Sequence, residues 1–286
     1  MAQFLADLQQ HAFLQYALLT GVLAGIPCGI IGSYVVTRRI TYLAGAVAHS
    51  VLAGMGAARY FQTVFHWTWL HPLHGAVVSA LAAAMVIGLV SLHARQREDT
   101  VIGAVWAVGM ALGVMFIFKT PGYNEDLMSY LFGNILMVSS KDLWIIAGLD
   151  VIVLSVSLLF YNPLLAVCFD QEFARLRGVR VEAYYLILLC LTSLTVVLLV
   201  TVVGIVMVIA LLTLPAALAG RFSRRLWQMM AGAAILTVVF TTGGLVISYG
   251  PDWPAGATTI LLAGAVYLAV SLGSRLFGAR SGRDVG

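Results

Sequence analysis

The sequence predicts an all-α, polytopic membrane helix bundle of about nine transmembrane helices (eight to nine), built as one transmembrane domain over residues 1–286. Three observations predict it. Hydrophobic residues make up 61% of the 286 and charged residues only 10%, against roughly 25% charged in soluble domains. The mean hydropathy is +0.98. Apolar runs of about 20 residues, the length needed to cross a bilayer core, recur along nearly the whole chain and leave no room for a separate soluble domain. This excludes a soluble globular enzyme, a disordered chain and a nucleic-acid binder with a basic face, so no nucleic-acid partner is expected.

The runs lie at 13–37, 43–61, 73–93, 101–118, 143–161, 183–201, 203–220, 226–247 and 256–277. The first follows Asp7, Gln9, Gln10 and His11. With no basic segment ahead of it, it is read as a full-length span and not a cleaved leader. The second is rich in Gly, Ala and Ser, and such small residues recur in the others, as close backbone approach of membrane helices requires. Between the fourth and fifth runs, Leu127 to Leu136 is too short to span. Its Tyr130 and Phe132 suit an outer-face interfacial or re-entrant helix. The sixth and seventh runs are nearly fused, and a tight hairpin is expected between Val200 and Gly204. No ten-residue alternation is sustained, so a membrane β-barrel is excluded.

Basic residues orient the bundle. Arg38, Arg39, Arg95, Arg97, Arg175, Arg177, Arg180, Arg221, Arg224, Arg225, Arg275, Arg280 and Arg283 mark one set of junctions. Arg59, Lys119 and Lys141 mark the other. The first set is assigned to the cytoplasm, which puts the N-terminus outside and the C-terminus inside. The three cysteines, Cys28, Cys168 and Cys190, show no metal-ligand spacing and are read as small buried apolar residues. Neither lysine follows a glycine-rich phosphate loop, so this chain cannot bind ATP in that way, and any ATPase motor is a separate chain.

Two side chains stand out inside the runs. His49 interrupts the second, and Asp150 lies near the middle of the fifth as the one acidic residue deep in an apolar run. A mid-membrane carboxylate costs roughly 2.5–3.5 kcal/mol on insertion scales and faces the bundle interior or a wet cavity. Imidazole is a borderline metal ligand and a proton acceptor near neutral pH. The two residues either line a path for a divalent cation or hydrogen-bond neighbouring helices. Outside, His66, His71 and His74 could gather a metal ion at a mouth, or belong to an aromatic headgroup loop with Trp67 and Trp69. Inside, Asp170 and Glu172 open a short helix-like stretch, Arg175 and Arg177 fall near its end, and Gly178 stops it. Acids first and bases last suit the helix dipole, and glycine suits a left-handed cap. Such a helix either docks into a partner's groove or is a solvated loop.

At these residues the chain resembles the membrane permease subunits of bacterial ABC importers for zinc, manganese and iron. The resemblance is carried by Arg38-Arg39-Ile-Thr-Tyr-Leu leading to His49 and Gly54, by Arg97-Glu98-Asp99-Thr100, by Ser129-Tyr-Leu-Phe-Gly133, and by Phe169-Asp170 through Gly178. Ala210-Leu-Leu-Thr-Leu-Pro215-Ala-Ala217 and Ser248-Tyr249 with Pro254-Ala-Gly-Ala-Thr258 complete it. It implies a non-enzymatic transport subunit in the bacterial inner membrane. The implied assembly is a permease homodimer in lipid with an ABC ATPase subunit dimer that binds ATP. An extracytoplasmic metal-binding protein would deliver the ion. Zn2+, or Mn2+ or Fe2+, would be transported and not permanently bound.

The resemblance also implies that His49 is a channel-side ligand and that Asp170, Glu172, Arg175 and Gly178 form the ATPase-coupling helix. The family commonly has an aspartate four residues before that histidine, where this chain has Gly45. Either histidine then carries more of the coordination, which favours zinc, or Asp150 supplies the carboxylate. The alternative function is a proton-coupled secondary transporter using His49 and Asp150.

Overall fold

The computed structural model describes residues 7–8, 10–93, 97–121, 133 and 135–281. Among these there is no strand. The helices, in chain order, are α1 (Ala12–Arg38), α2 (Tyr42–Val64), α3 (Pro72–His93), α4 (Glu98–Lys119), α5 (Ser140–Leu159), α6 (Tyr161–Phe169), α7 (Gln171–Leu176), α8 (Val181–Val203), α9 (Ile205–Phe222), α10 (Leu226–Tyr249) and α11 (Ala255–Ser281). Nine of them match the nine apolar runs to within a few residues at each end.

Eight of these helices are long and apolar enough to cross a membrane. The exception is α2, which is 23 residues long but carries His49, Ser50 and many glycines and alanines. It is screened from lipid instead: every residue from Leu43 to Leu52 is buried. The helices around α2 need no such screening. On α4, Val108, Met110, Leu112 and Phe118 are exposed, as apolar side chains facing acyl tails should be.

Small residues set the helix pairs. Gly21, Gly25 and Gly29 repeat every four residues on one face of α1, and α10 lies in the groove they leave. A Cβ on Gly29 would come within 2.6 Å of the Ala234 backbone nitrogen, and one on Gly21 within 2.7 Å of Thr241 Oγ1. Gly54 of α2 and Gly75 of α3 touch backbone to backbone. Gly109 and Gly113 of α4 do the same work against Ser50, Leu52 and Ala53 of α2. In lipid, where apolar faces gain nothing by leaving the solvent, such close packing holds helices together.

Three local features bear on these expectations. The chain breaks at Phe160, at the end of the fifth run, and restarts as α6. Pro163 causes the break, because its ring would clash with the carbonyl of Leu159 in a continuous helix. Second, α8 and α9 are separated by Gly204 alone, at φ 83° and ψ 162°. They then diverge, α8 onto α3 and α9 onto α10 and α1, so the turn is sharp but the pair is no long hairpin. Third, residues 127–132 and 134 of the expected interfacial or re-entrant segment lie outside the described residues. The described part, Gly133 and the short 3-10 turn Ile135–Met137, reaches into the bundle. Gly133 sits against the Val203–Gly204 junction, and Ile135 is buried.

One end of the bundle gathers several junctions. Arg38 at the end of α1 pairs with Glu98 at the start of α4 at 3.8 Å. Tyr185, in the first turns of α8, donates its hydroxyl hydrogen to Glu98, and the Arg38 guanidinium lies 5.7 Å above the Tyr185 ring. Thr37 donates to Met229 Sδ of α10 at 3.8 Å. These are the junctions that carry the basic residues in the sequence.

Candidate functional site

His49 sits in the second turn of α2, 9% exposed, on a helix packed by α3, α4, α8 and α9. Its Nδ1 is buried and has no hydrogen-bond partner. The neighbouring Ser50 hydroxyl is satisfied, donating to the Ala46 carbonyl at 2.9 Å. The ring stacks on Trp106 of α4, with centroids 5.0 Å apart and planes inclined by 25°. Trp106 reaches it because Gly109 and Gly113, three and seven residues on, let α4 lie directly on α2.

The same indole covers Gly45. A Cβ there would run into the Cζ3 and Cη2 atoms of Trp106. Gly45 and Trp106 line a cavity of about 380 Å³ whose other walls include Tyr42 of α2, Thr213 and Leu214 of α9, and Tyr267 of α11. Thr213 donates its hydroxyl hydrogen to the Ile209 carbonyl at 2.8 Å. The fold therefore brings the basic-pair segment with its histidine helix against the Thr-Leu-Pro-Ala-Ala segment of α9, two stretches about 170 residues apart in the chain.

Asp150 is 4% exposed, with neither carboxylate oxygen partnered. Its helix, α5, packs on α1 and α8 and not along α2, and Asp150 lies near Cys28 of α1. The two intramembrane candidates are thus on separate helices with separate surroundings. His66, His71 and His74 lie in and just after the α2–α3 loop. His66 adopts φ 57°. His71 Nδ1 accepts from the Leu73 backbone at 3.3 Å, which caps the start of α3, and its ring lies 6.2 Å from that of His74. Pro72 is the first residue of α3, where its missing N–H costs nothing. Among the described residues no group of three His, Cys, Asp or Glu side chains is placed to hold a metal ion.

The charged loop forms α7. Asp170 is its N-cap, accepting from the Phe173 backbone at 3.0 Å, and Glu172 lies in the first turn. Val179 N donates to Ala174 O at 3.0 Å and Gly178 N to Arg175 O at 2.9 Å, a glycine-stopped C-terminus with Gly178 at φ 79°. Arg175 reaches past the end to pair with Glu182 at 2.6 Å. Ala174 is fully buried, while Phe169, Phe173 and Leu176 are 70%, 52% and 87% exposed. Phe173 and Leu176, three residues apart on α7, share one exposed apolar side, and Phe169 ends α6 just across the extended Asp170.

Trp106 is the site residue that sequence reasoning passed over. Its signal was the spacing of 106, 109 and 113, which puts one large aromatic on the face where two glycines allow another helix to come close.

The profile of the "ABC 3 transport family" matches residues 10–274. The uncharacterized membrane protein slr2045 of Synechocystis is 42% identical over 275 residues, covering 96% of this chain and 95% of that one. The manganese transport system membrane protein MntC of Halalkalibacterium halodurans is 35% identical over 264 residues, 92% of this chain and 88% of that one. Among solved structures, PsaBC from Streptococcus pneumoniae in complex with Fab superposes with a TM-score of 0.81 at 30% identity, covering 94% of each chain.

Proposed function

The chain belongs to the ABC 3 transport family, and on that premise we propose that it is the membrane permease of an ATP-driven importer for a divalent transition metal ion, zinc foremost. It is a transport subunit of the bacterial inner membrane and not itself an enzyme; ATP hydrolysis belongs to a separate subunit in such importers. An extracytoplasmic binding protein hands the ion over. Two copies of the permease, each contributing His49, form the path, and an ATPase dimer docks on the exposed face of α7.

One observation carries the reading of the path: a buried imidazole nitrogen without a partner, within a stretch of α2 buried from Leu43 to Leu52. A polar atom left unpaired there costs about 1–3 kcal/mol unless something occupies it part of the time. A transported ion must be held weakly enough to leave, and one imidazole per chain does that. Imidazole without an adjacent carboxylate suits zinc better than manganese. Manganese, named for the relatives in Halalkalibacterium and Listeria, is the competing cargo, with iron third. Asp150 is the second candidate on the path, reached from α5. His66, His71 and His74 are a weaker collecting point at the mouth.

The test is tracer uptake of zinc, manganese and iron in cells that carry the permease with its ATPase and binding protein. Zinc uptake that needs the ATPase, and that falls about tenfold or more in His49→Ala at equal membrane level, supports the proposal. Uptake without any ATPase overturns it in favour of proton coupling. Normal uptake by both His49→Ala and Asp150→Ala overturns the site.

A further inference from the structure

We propose that Trp106 determines the ion specificity of the path, by filling the place one helical turn before His49 and keeping an oxygen ligand out of it. The proposal rests on the reading of His49 as an ion ligand.

On a helix, a second ligand for an ion held at one residue comes from three or four residues away on either side. For His49 those positions are Gly45, Ala46, Leu52 and Ala53, and none carries a donor atom. Gly45 is the one that lines the cavity. Its place is already taken, because the Trp106 ring lies on it and stacks on the imidazole beyond it. Indole has no lone pair to offer; its one polar group is an N–H donor. Among the described residues no carboxylate lines the cavity; the Thr213 hydroxyl is directed to its own helix, and the other lining side-chain oxygens are the hydroxyls of Thr41, Tyr42 and Tyr267. His49 stands behind the indole and is not itself in the cavity wall, so an ion that reaches it past the ring gains one imidazole nitrogen, an aromatic wall and whatever water it brings. Ions that accept nitrogen readily keep most of their binding in such a site, whereas manganese, which prefers carboxylate and water oxygens, loses more.

The backbone that carries the ring is held in place. Gly109, one turn along α4 from Trp106, has room for no Cβ: one would come within 2.8 Å of Ser50 Oγ. The indole can therefore make room at position 45 only by turning about its own side-chain bonds, off Gly45 and the imidazole. A side chain at position 45 and the indole in its present orientation are thus mutually exclusive, and substitutions at the two positions should be strongly coupled.

The test is zinc and manganese tracer uptake by the permease with its ATPase and binding protein, with membrane levels measured in parallel. Gly45→Asp alone should lower zinc uptake about tenfold or more, because the carboxylate and the indole claim one space. Gly45→Asp combined with Trp106→Ala should recover uptake and raise the manganese-to-zinc ratio about tenfold over the parent. Trp106→Ala alone should raise that ratio a few-fold, and Trp106→Phe less. Parental rate and preference in Gly45→Asp, or a parental ratio in the double variant, overturns the proposal. If Gly45→Asp fails to reach the membrane, an unchanged ratio in Trp106→Ala overturns it. His49→Ala separates the two readings. Its normal uptake overturns the ligand assignment, whereas its loss together with unchanged ratios in all Trp106 variants overturns only the role of the indole.

Discussion

Tyr185 donates its hydroxyl hydrogen to Glu98, tying the start of α8 to the start of α4. Arg38 lies over the tyrosine ring and pairs with the same carboxylate, so the end of α1 joins them. Tyr185 is 1% exposed. Glu98→Ala would remove that carboxylate acceptor and leave the buried hydroxyl with only Ser91 beside it, at a cost of up to about 1–3 kcal/mol. Glu98→Gln, which still offers a carbonyl oxygen, should cost less. Thermal unfolding of the purified permease in detergent checks the order: parent, then Glu98→Gln, then Glu98→Ala.

The glycine groove on α1 predicts a size limit. A side chain at Gly29 would run into the Ala234 backbone, which cannot step aside. Gly29→Val should destabilise the α1–α10 pair by roughly 1–3 kcal/mol or more and lower the folded yield. Gly264→Val, where an added Cβ meets nothing within 4 Å, should be tolerated far better. Fluorescence-detected size-exclusion chromatography distinguishes the two.

On α7 the cap and the face can be tested apart. Gly178 stands at φ 79° with open space around it, so Gly178→Val carries only the backbone penalty, at least about 1–2 kcal/mol. It should loosen α7 without disturbing the bundle. Leu176→Asp leaves the helix intact but places a charge on the apolar face. If that face receives the ATPase, co-purification of the ATPase should fall sharply in Leu176→Asp and partly in Gly178→Val. Retention of the ATPase in both variants would remove α7 as the docking element.

Cys168, in the short α6 outside the long spanning helices, points its thiol at the Tyr34 carbonyl, 4.0 Å away. Burial pushes its pKa up to about 12, with Arg38 pulling weakly the other way. The thiolate is therefore disfavoured in the fold. Maleimide should not label Cys168 in the folded protein at pH 7–8 and should label it on unfolding. Because the folded pKa is raised, this group's contribution to stability is intact below about pH 9 and declines as pH rises towards about 12.

Much of the fold was legible because membrane helices declare themselves by length and apolarity. Both depend on the residues of one segment alone. The same holds for α7, whose cap, dipole and terminator lie within nine residues. The break at Phe160 was legible in principle, since Pro163 sits four residues beyond Leu159, but the apolar run continues through it. What was not legible depended on two segments at once. Nothing within residues 101–118 says that Trp106 lies over Gly45, because that placement requires the glycine contacts between α4 and α2. The separation of His49 from Asp150 was hidden for the same reason: similar depth in two runs says nothing about which helices are neighbours.

The polarity of α2 bears on how the protein is made. A segment with this many glycines, a histidine and a serine gains too little from lipid to settle in the bilayer by itself. Yet in the finished protein it is wrapped by α3 and α4, which follow it in the chain. α2 is therefore expected to settle in the bilayer only once α3 and α4 have emerged to cover it, with α8 and α9 completing the cover later. The helix that bears His49 is thus the one that its neighbours must carry into the bilayer.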